Sequence, residues 1–162
     1  MIVPNGVLFG DSICARIKEE LLKQFNLHTI VRLPNGVFAP YTSIPTNLLF
    51  FDRTGPTKEV WYYEQLLPEG RKNYTKTAPI QFEEFADCLA WWRRREENEH
   101  AWTVSAKDLL ENGCNLDRKN PSAKEDIAHL PPDQIAASIL KKEQQIAGIV
   151  RNIQAQLGMR GA

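Results

Sequence analysis

Leu27-His28-Thr29-Ile30-Val31-Arg32-Leu33-Pro34-Asn35-Gly36 is the stretch on which the fold turns. Thr29, Ile30 and Val31 are β-branched, so the run predicts a strand, and Pro-Asn-Gly predicts the turn that ends it. Upstream, Met1-Ile2-Val3-Pro4-Asn5-Gly6 gives the same signal in shorter form, the end of a strand followed by the same tripeptide. Between the two, Ile13, Ile17, Leu21 and Phe25 recur every four positions, and Asp11 or Ser12 is placed to cap a helix over them. Lys18, Glu19, Glu20 and Lys23 then belong to the solvent face. A strand, a crossover helix and a parallel strand make the basic unit of an α/β sheet, which is the fold class expected.

Downstream, Thr46–Asp52 predicts a third strand whose continuous apolar centre implies burial on both faces. Thr54-Gly55-Pro56-Thr57 turns the chain, and Glu59–Glu64 returns as a fourth strand, expected to form an antiparallel hairpin with the third at the sheet edge. Phe82, Phe85, Leu89 and Trp92 fall at helical spacing, predicting a helix from Phe82 to about Glu99 with that stripe toward the core. On such a helix the basic run Arg93-Arg94-Arg95 meets Glu97 and Glu99 as i,i+4 pairs, a solvated face rather than a nucleic-acid patch. Trp91 and Trp92 are adjacent and cannot share a face. Ser105 and Asp108 resemble a capping box opening a helix over Lys107–Glu111, closed by Asn112-Gly113. The expected organisation is residues 1–66 as sheet with an edge hairpin, 67–122 as a mixed helical extension, and 123–162 as a linker and long helix.

That last helix, from about Gln134 to Gln156, carries Ile139, Ile146, Val150, Ile153 and Leu157 as an apolar seam among Gln, Lys and Glu. Such a seam on a long single helix predicts packing against a partner, with docking onto the chain's own body as the alternative.

Composition bounds the rest. The chain has 162 residues, 20 Lys+Arg against 20 Asp+Glu, 43% hydrophobic content and three cysteines. That is one ordinary globular domain with a small appendage, and zero formal charge argues against binding to nucleic acid or membrane by charge alone. No apolar run approaches the ~20 residues of a membrane span, and no signal peptide is visible, so a cytoplasmic protein is expected. Cys14, Cys88 and Cys114 form no CxxC pair, which predicts free thiols.

Known catalytic patterns are missing. There is no GxGxxG, no GxxxxGK[ST] and no GxSxG, and His28, His100 and His129 lack metal-ligand spacing. Catalytic residues, cofactor-binding residues and metal ligands are therefore expected to be none within this chain. The two Pro-Asn-Gly turns follow strands whose carboxyl ends form the usual ligand face of an α/β sheet, although the tripeptide is also ordinary turn chemistry. Val37-Phe38-Ala39-Pro40-Tyr41-Thr42-Ser43 presents two aromatics there, suited to stacking on a planar ligand such as an extruded base.

Val3–Phe9, Asn26–Phe38 and Thr46–Phe51, followed by Trp91-Trp92 with Arg95, Glu99–Ser105, Asn115–Asp117 and Asn120-Pro121, closely resemble the modification subunit of type I restriction–modification systems. The resemblance implies DNA adenine N-6 methyltransferases using S-adenosylmethionine, and a seven-stranded, Rossmann-like methyltransferase sheet of which this chain holds the carboxyl-terminal part. Met1–Val3, Leu27–Leu33 and Thr46–Phe51 would be its fifth, sixth and seventh strands. The family's Gly-rich cofactor loop and Asn-Pro-Pro-Phe motif are not found in these residues. This implies an incomplete enzyme that does not bind S-adenosylmethionine alone. Phe38, or else Tyr41, matches the aromatic that stacks on the flipped adenine, and Asn35 and Thr42 are candidates for the DNA cleft. Implied partners are the specificity subunit, DNA and the N-terminal part of the same subunit, with self-association expected of the isolated chain. The alternatives are a non-catalytic assembly module from a split gene, or a stand-alone α/β protein with an unrelated small-molecule site.

Overall fold

The computed structural model describes residues 1–122 and 132–158. They fall into two units divided after Ala123, each described by itself.

In the first unit, β1 (Ile2–Pro4), β2 (Asn26–Arg32), β3 (Thr46–Asp52), β4 (Glu59–Glu64) and β5 (Ala101–Ser105) form one mixed sheet in the order β1-β3-β2-β4-β5. β1 and β2 run in the same direction, as expected, but are not neighbours. β3 enters between them antiparallel to both, pairing Val3 with Asn47 and Val31 with Leu48. Despite this central place, the expected burial on both faces holds only for the first half of β3: Thr46, Asn47 and Leu49 are buried, whereas Phe50 and Phe51 are exposed where β1 is too short to flank them. One face carries a core of Leu8, Leu22, Leu27, Ile30, Leu49, Tyr62 and Leu109, and the other carries Val31, Leu33, Tyr63, Cys88 and Trp91.

The expected hairpin of β3 with β4 does not form. β4 lies on the far side of β2 and pairs with it parallel, Ile30 opposite Tyr62. Thr57 carries the chain across: its N–H donates to the Leu22 carbonyl, its hydroxyl donates to the Phe25 carbonyl, and it accepts from the Leu27 N–H. These bonds hold the connection against the start of β2 and deliver β4 to the opposite edge. There it gains β5, a strand that the sequence did not suggest, in antiparallel register with Val60 opposite Val104.

α1 (Asn5–Phe9) and α2 (Ile13–Gln24) lie between β1 and β2. Ser12 occupies the N-cap position of α2 without a side-chain cap bond. The face of α2 is rotated from expectation: Lys18 and Leu22 are buried, while Ile13 is 73% exposed and Ile17 is exposed too. Lys18 turns inward because the Leu8 and Gly10 carbonyls await it there.

Phe82–Phe85 is a 3-10 turn capped by Gln81 and Glu84, and α3 spans only Ala86–Arg94. The helix stops because Arg95 is left-handed, at φ 37° and ψ 72°. The expected i,i+4 pairs are therefore absent. Glu97 instead accepts from the Thr103 N–H at 3.0 Å and its hydroxyl at 2.6 Å, joining the post-helical turn to β5. The predicted core stripe is also corrected. Cys88 and Trp91 are the buried residues of α3, whereas Phe82 is 72% exposed and Leu89 is exposed. Trp92 packs at the surface on Phe50, ring centroids 4.8 Å apart. α4 (Ala106–Glu111) begins as read: the Ser105 hydroxyl accepts from the Asp108 N–H at 3.1 Å.

The second unit is α5 (Pro132–Gly158). Ile139, Ile146, Val150 and Ile153 are exposed along it, as are Leu140 and Ile149; the side chain of Leu157 lies outside the described residues. No helix among the described residues is long and apolar enough to cross a membrane.

Candidate functional site

Both Pro-Asn-Gly segments arrive at one end of the sheet, because β1 and β2 run in the same direction; the second forms the expected turn, whereas in the first Pro4 closes β1 and Asn5-Gly6 open α1. Asn5, Asn35, Arg32, Asn47, Glu64 and Gln65 line a cleft of about 310 Å³ there. Its walls are tied together. Asn47 Nδ2 donates to Asn5 Oδ1 at 3.2 Å, and Asn5 Nδ2 donates to Asp117 Oδ2 at 3.5 Å. Arg32 pairs with Asp117 at 2.7 Å and donates to the Arg118 carbonyl at 2.5 Å. A half-buried ion pair that also holds an amide fixes its members in one geometry, which is what a recognition surface requires.

Beside this cleft the loop from Pro34 to Pro45 carries the predicted aromatics. Gly36 sits at φ +79°, and a Cβ there would lie 2.2 Å from the Tyr74 carbonyl oxygen. The close approach is used: the Tyr74 N–H donates to the Asn35 carbonyl at 3.1 Å. Tyr74 is itself held by Glu84 through its hydroxyl, and burial together with that bond pushes its pKa up to about 12. The loop closes on itself through the Phe38 carbonyl, which accepts from the Tyr41 and Thr42 N–H groups at 2.9 and 3.2 Å. Phe38 is 36% exposed and Tyr41 is 92% exposed. The Thr42 hydroxyl accepts from the Ile44 N–H at 3.1 Å, which occupies it in a local turn.

Of the residues singled out from sequence, Asn35 lines the cleft, while Phe38, Tyr41 and Thr42 stand on the adjoining loop. Sequence reading missed Arg32, Asn47 and Asp117. The first two lie inside strands, and Asp117 comes from a distant segment with no local signal. Asn5 was legible through the repeated tripeptide.

The cysteines are free: Cys88 and Cys114 are buried, and burial pushes the Cys88 thiol up to about 11. Among the described residues no group of His, Cys, Asp and Glu is arranged to hold a metal ion.

Residues 1–129 match the family model of the N-6 DNA methylases, and the chain belongs to that family. Within it the likeness is to the methylase subunits of type I restriction–modification systems. The type I restriction enzyme EcoEI methylase subunit of Escherichia coli is 46% identical over 165 aligned positions, covering 98% of this chain and 34% of that protein. A crystal structure of a modification subunit of a putative type I restriction enzyme from Vibrio vulnificus YJ016 is 60% identical with a TM-score of 0.73, over 79% of this chain and 28% of that one. A structure described as underlying complex assembly and conformational transition of the type I R-M system is 39% identical, also at 0.73, over the whole of this chain and 36% of that one. The chain thus spans about a third of the length of the relatives it matches.

Proposed function

We propose that this chain supplies the adenine-facing, carboxyl-terminal portion of a type I DNA adenine N-6 methyltransferase, whose complete form transfers a methyl group from S-adenosylmethionine to the exocyclic amine. In that reading β1, β2 and β3 are strands five, six and seven of the methyltransferase sheet. The observation that carries it is the convergence of Asn5, Asn35 and the Phe38 loop at the carboxyl ends of two co-directional strands, around a cleft braced by Arg32 and Asp117.

Phe38 is the base-stacking residue. Its ring is accessible and its loop is anchored through Gly36 against Tyr74, so the aromatic face is presented without large reorganisation. Extruding a base from a duplex costs a few kcal/mol, and an aromatic surface recovers part of it. Asn35 and Thr42 touch DNA or border the cleft. Methyl transfer to an amine needs positioning and polarisation, not a metal. The Gly-rich loop and Asn-Pro-Pro-Phe motif of the family supply cofactor and amine binding, so this chain alone is catalytically incomplete.

The rest of the subunit covers the apolar surface beside α3. Val31, Leu48, Phe50, Phe85, Leu89 and Trp92 line an open groove of about 320 Å³ there. Exposed apolar surface of this kind accounts for self-association of the isolated chain. The seam of α5 pairs with helices of the specificity subunit.

The test is a chimera in which this chain replaces the matching segment of the Escherichia coli EcoEI methylase subunit, produced with its specificity subunit and assayed for adenine methylation of DNA. Methylation is expected, lost on Phe38→Ala and retained on Phe38→Tyr. Undiminished methylation by the Phe38→Ala chimera removes the stacking role, and an inactive chimera that still assembles removes the reading as a whole.

A further inference from the structure

At the opposite ends of the same strands, where β2 and β4 begin, lies a second pocket of about 350 Å³. Asn26, His28, Lys58, Trp61 and Arg95 line it, and Glu59 is the one carboxylate in its lining. Two backbone irregularities converge on it. Leu27 is paired with Phe51 and Thr29 with Phe50, so His28 is the extra residue of a β-bulge. The bulge lets Leu27 and Ile30, three apart, share one core face and leaves His28 aimed at the other. Arg95 is the left-handed residue that ends α3. A non-glycine residue held there is strained, and its surroundings must hold it in place.

The side chains that these two irregularities present meet one another. The Arg95 guanidinium lies 4.6 Å from the centre of the Trp92 ring, and its Nη2 is 3.4 Å from His28 Nδ1. The same Nδ1 lies 2.8 Å from the Thr29 hydroxyl, which can also donate to it; with Nδ1 accepting from both, the imidazole presents Nε2–H to the pocket. Among the described residues neither Arg95 nor Lys58 has a carboxylate within 4.0 Å. The neighbouring Asp52 carboxylate is engaged by the Thr54 N–H and hydroxyl. A pocket walled by an indole therefore holds two cations, neither in an ion pair with Glu59 of the same lining, and one imidazole.

We propose that this pocket binds a nucleotide phosphate, with Arg95 and Lys58 on the phosphate oxygens, His28 Nε2–H as a further donor, and Trp61 as the wall for the base. It lies at the other end of the sheet from the adenine-facing cleft and does not depend on that cleft's role.

The full 162-residue chain is titrated with inorganic phosphate, a nucleoside 5′-monophosphate and the same nucleoside without phosphate, followed by the indole NMR signals of its tryptophans. The monophosphate is expected to bind more tightly than phosphate, and the nucleoside not to saturate. Arg95→Gly removes the cation and relieves the left-handed strain, so it should keep its thermal midpoint while weakening the monophosphate by about tenfold or more, the scale of one charge-assisted hydrogen bond. Lys58→Gln, at an exposed position, should weaken it independently. A single-stranded oligonucleotide with a 5′-hydroxyl separates the sources: competition assigns a phosphate within a strand, and its absence assigns a free nucleotide. Equal monophosphate affinity in wild type, Arg95→Gly and Lys58→Gln, or no saturable response to the monophosphate, overturns the proposal.

Discussion

Lys18 Nζ donates to the Leu8 carbonyl at 2.7 Å and to the Gly10 carbonyl at 3.0 Å, so a buried lysine on α2 closes the carboxyl end of α1. α1 has only five residues and no basic residue in its last turn. Its terminal carbonyls point where the second helix packs, and an ammonium answers both their lone pairs and the negative end of the helix dipole. Burial lowers the lysine pKa, which is the cost of placing the charge there.

Lys18→Met keeps the apolar stem and removes the donor. It should lower unfolding free energy by about 1–3 kcal/mol, the range for losing a charged hydrogen bond, measured as a shifted midpoint in urea. A midpoint equal to that of wild type would show that water satisfies those carbonyls equally well.

Gly36→Ala should cost about 3 kcal/mol, because alanine at φ +79° is strained and its Cβ would lie 2.2 Å from the Tyr74 carbonyl oxygen. The loop bearing Phe38 should detach first, read as faster amide exchange at Tyr41 and Thr42 with less change in β2. Uniform loss of protection would mean that the loop and the sheet unfold together.

Burial, and secondarily the Arg95 charge, lower the His28 pKa below its usual 6.5, with Asp52 opposing weakly. The unfolded chain then binds more protons than the folded one between the folded value and 6.5. Stability is complete above that window and falls as the pH is lowered through it. His28→Gln should flatten the dependence of the thermal midpoint on pH across that window, and an unchanged slope would place the acid sensitivity elsewhere.

Ile146 is 61% exposed on α5, in line with Ile139, Val150 and Ile153 at helical spacing. On the proposed pairing of α5 with a specificity subunit, Ile146→Asp should reduce co-purification with that subunit by about tenfold or more, as expected for a central apolar anchor, and leave the thermal midpoint of the sheet-bearing unit unchanged. A large fall in that midpoint would instead mean that the seam docks on the chain's own body.

Elements governed by neighbours a few residues away were legible in the sequence. Pro-Asn-Gly marks the end of both β1 and β2, although only the second is a turn and Asn5-Gly6 instead open α1; Ser105 caps α4, and the long periodic run is α5. β5 was not legible, because Ala101–Ser105 is short and becomes a strand by finding β4. The length of α3 was overestimated because Arg95 takes a left-handed conformation that no residue type other than glycine or asparagine announces. Within the candidate site, Asn5, Asn35 and Phe38 could be read from turn chemistry and family likeness. Asp117 could not, since its partners Arg32 and Asn5 are remote in the chain.

By itself, then, the sequence determined the α/β class and the places of β1 to β4, α2, α4 and α5, since turn chemistry, capping and periodicity act within a few residues. Only the tertiary structure decided that β3 enters between β1 and β2, that β4 crosses to the other side of β2, and that Lys18 faces inward. A strand offers two edges and a helix several faces. Which of them is used depends on the hydrogen-bonding groups and apolar surface that distant segments bring to it.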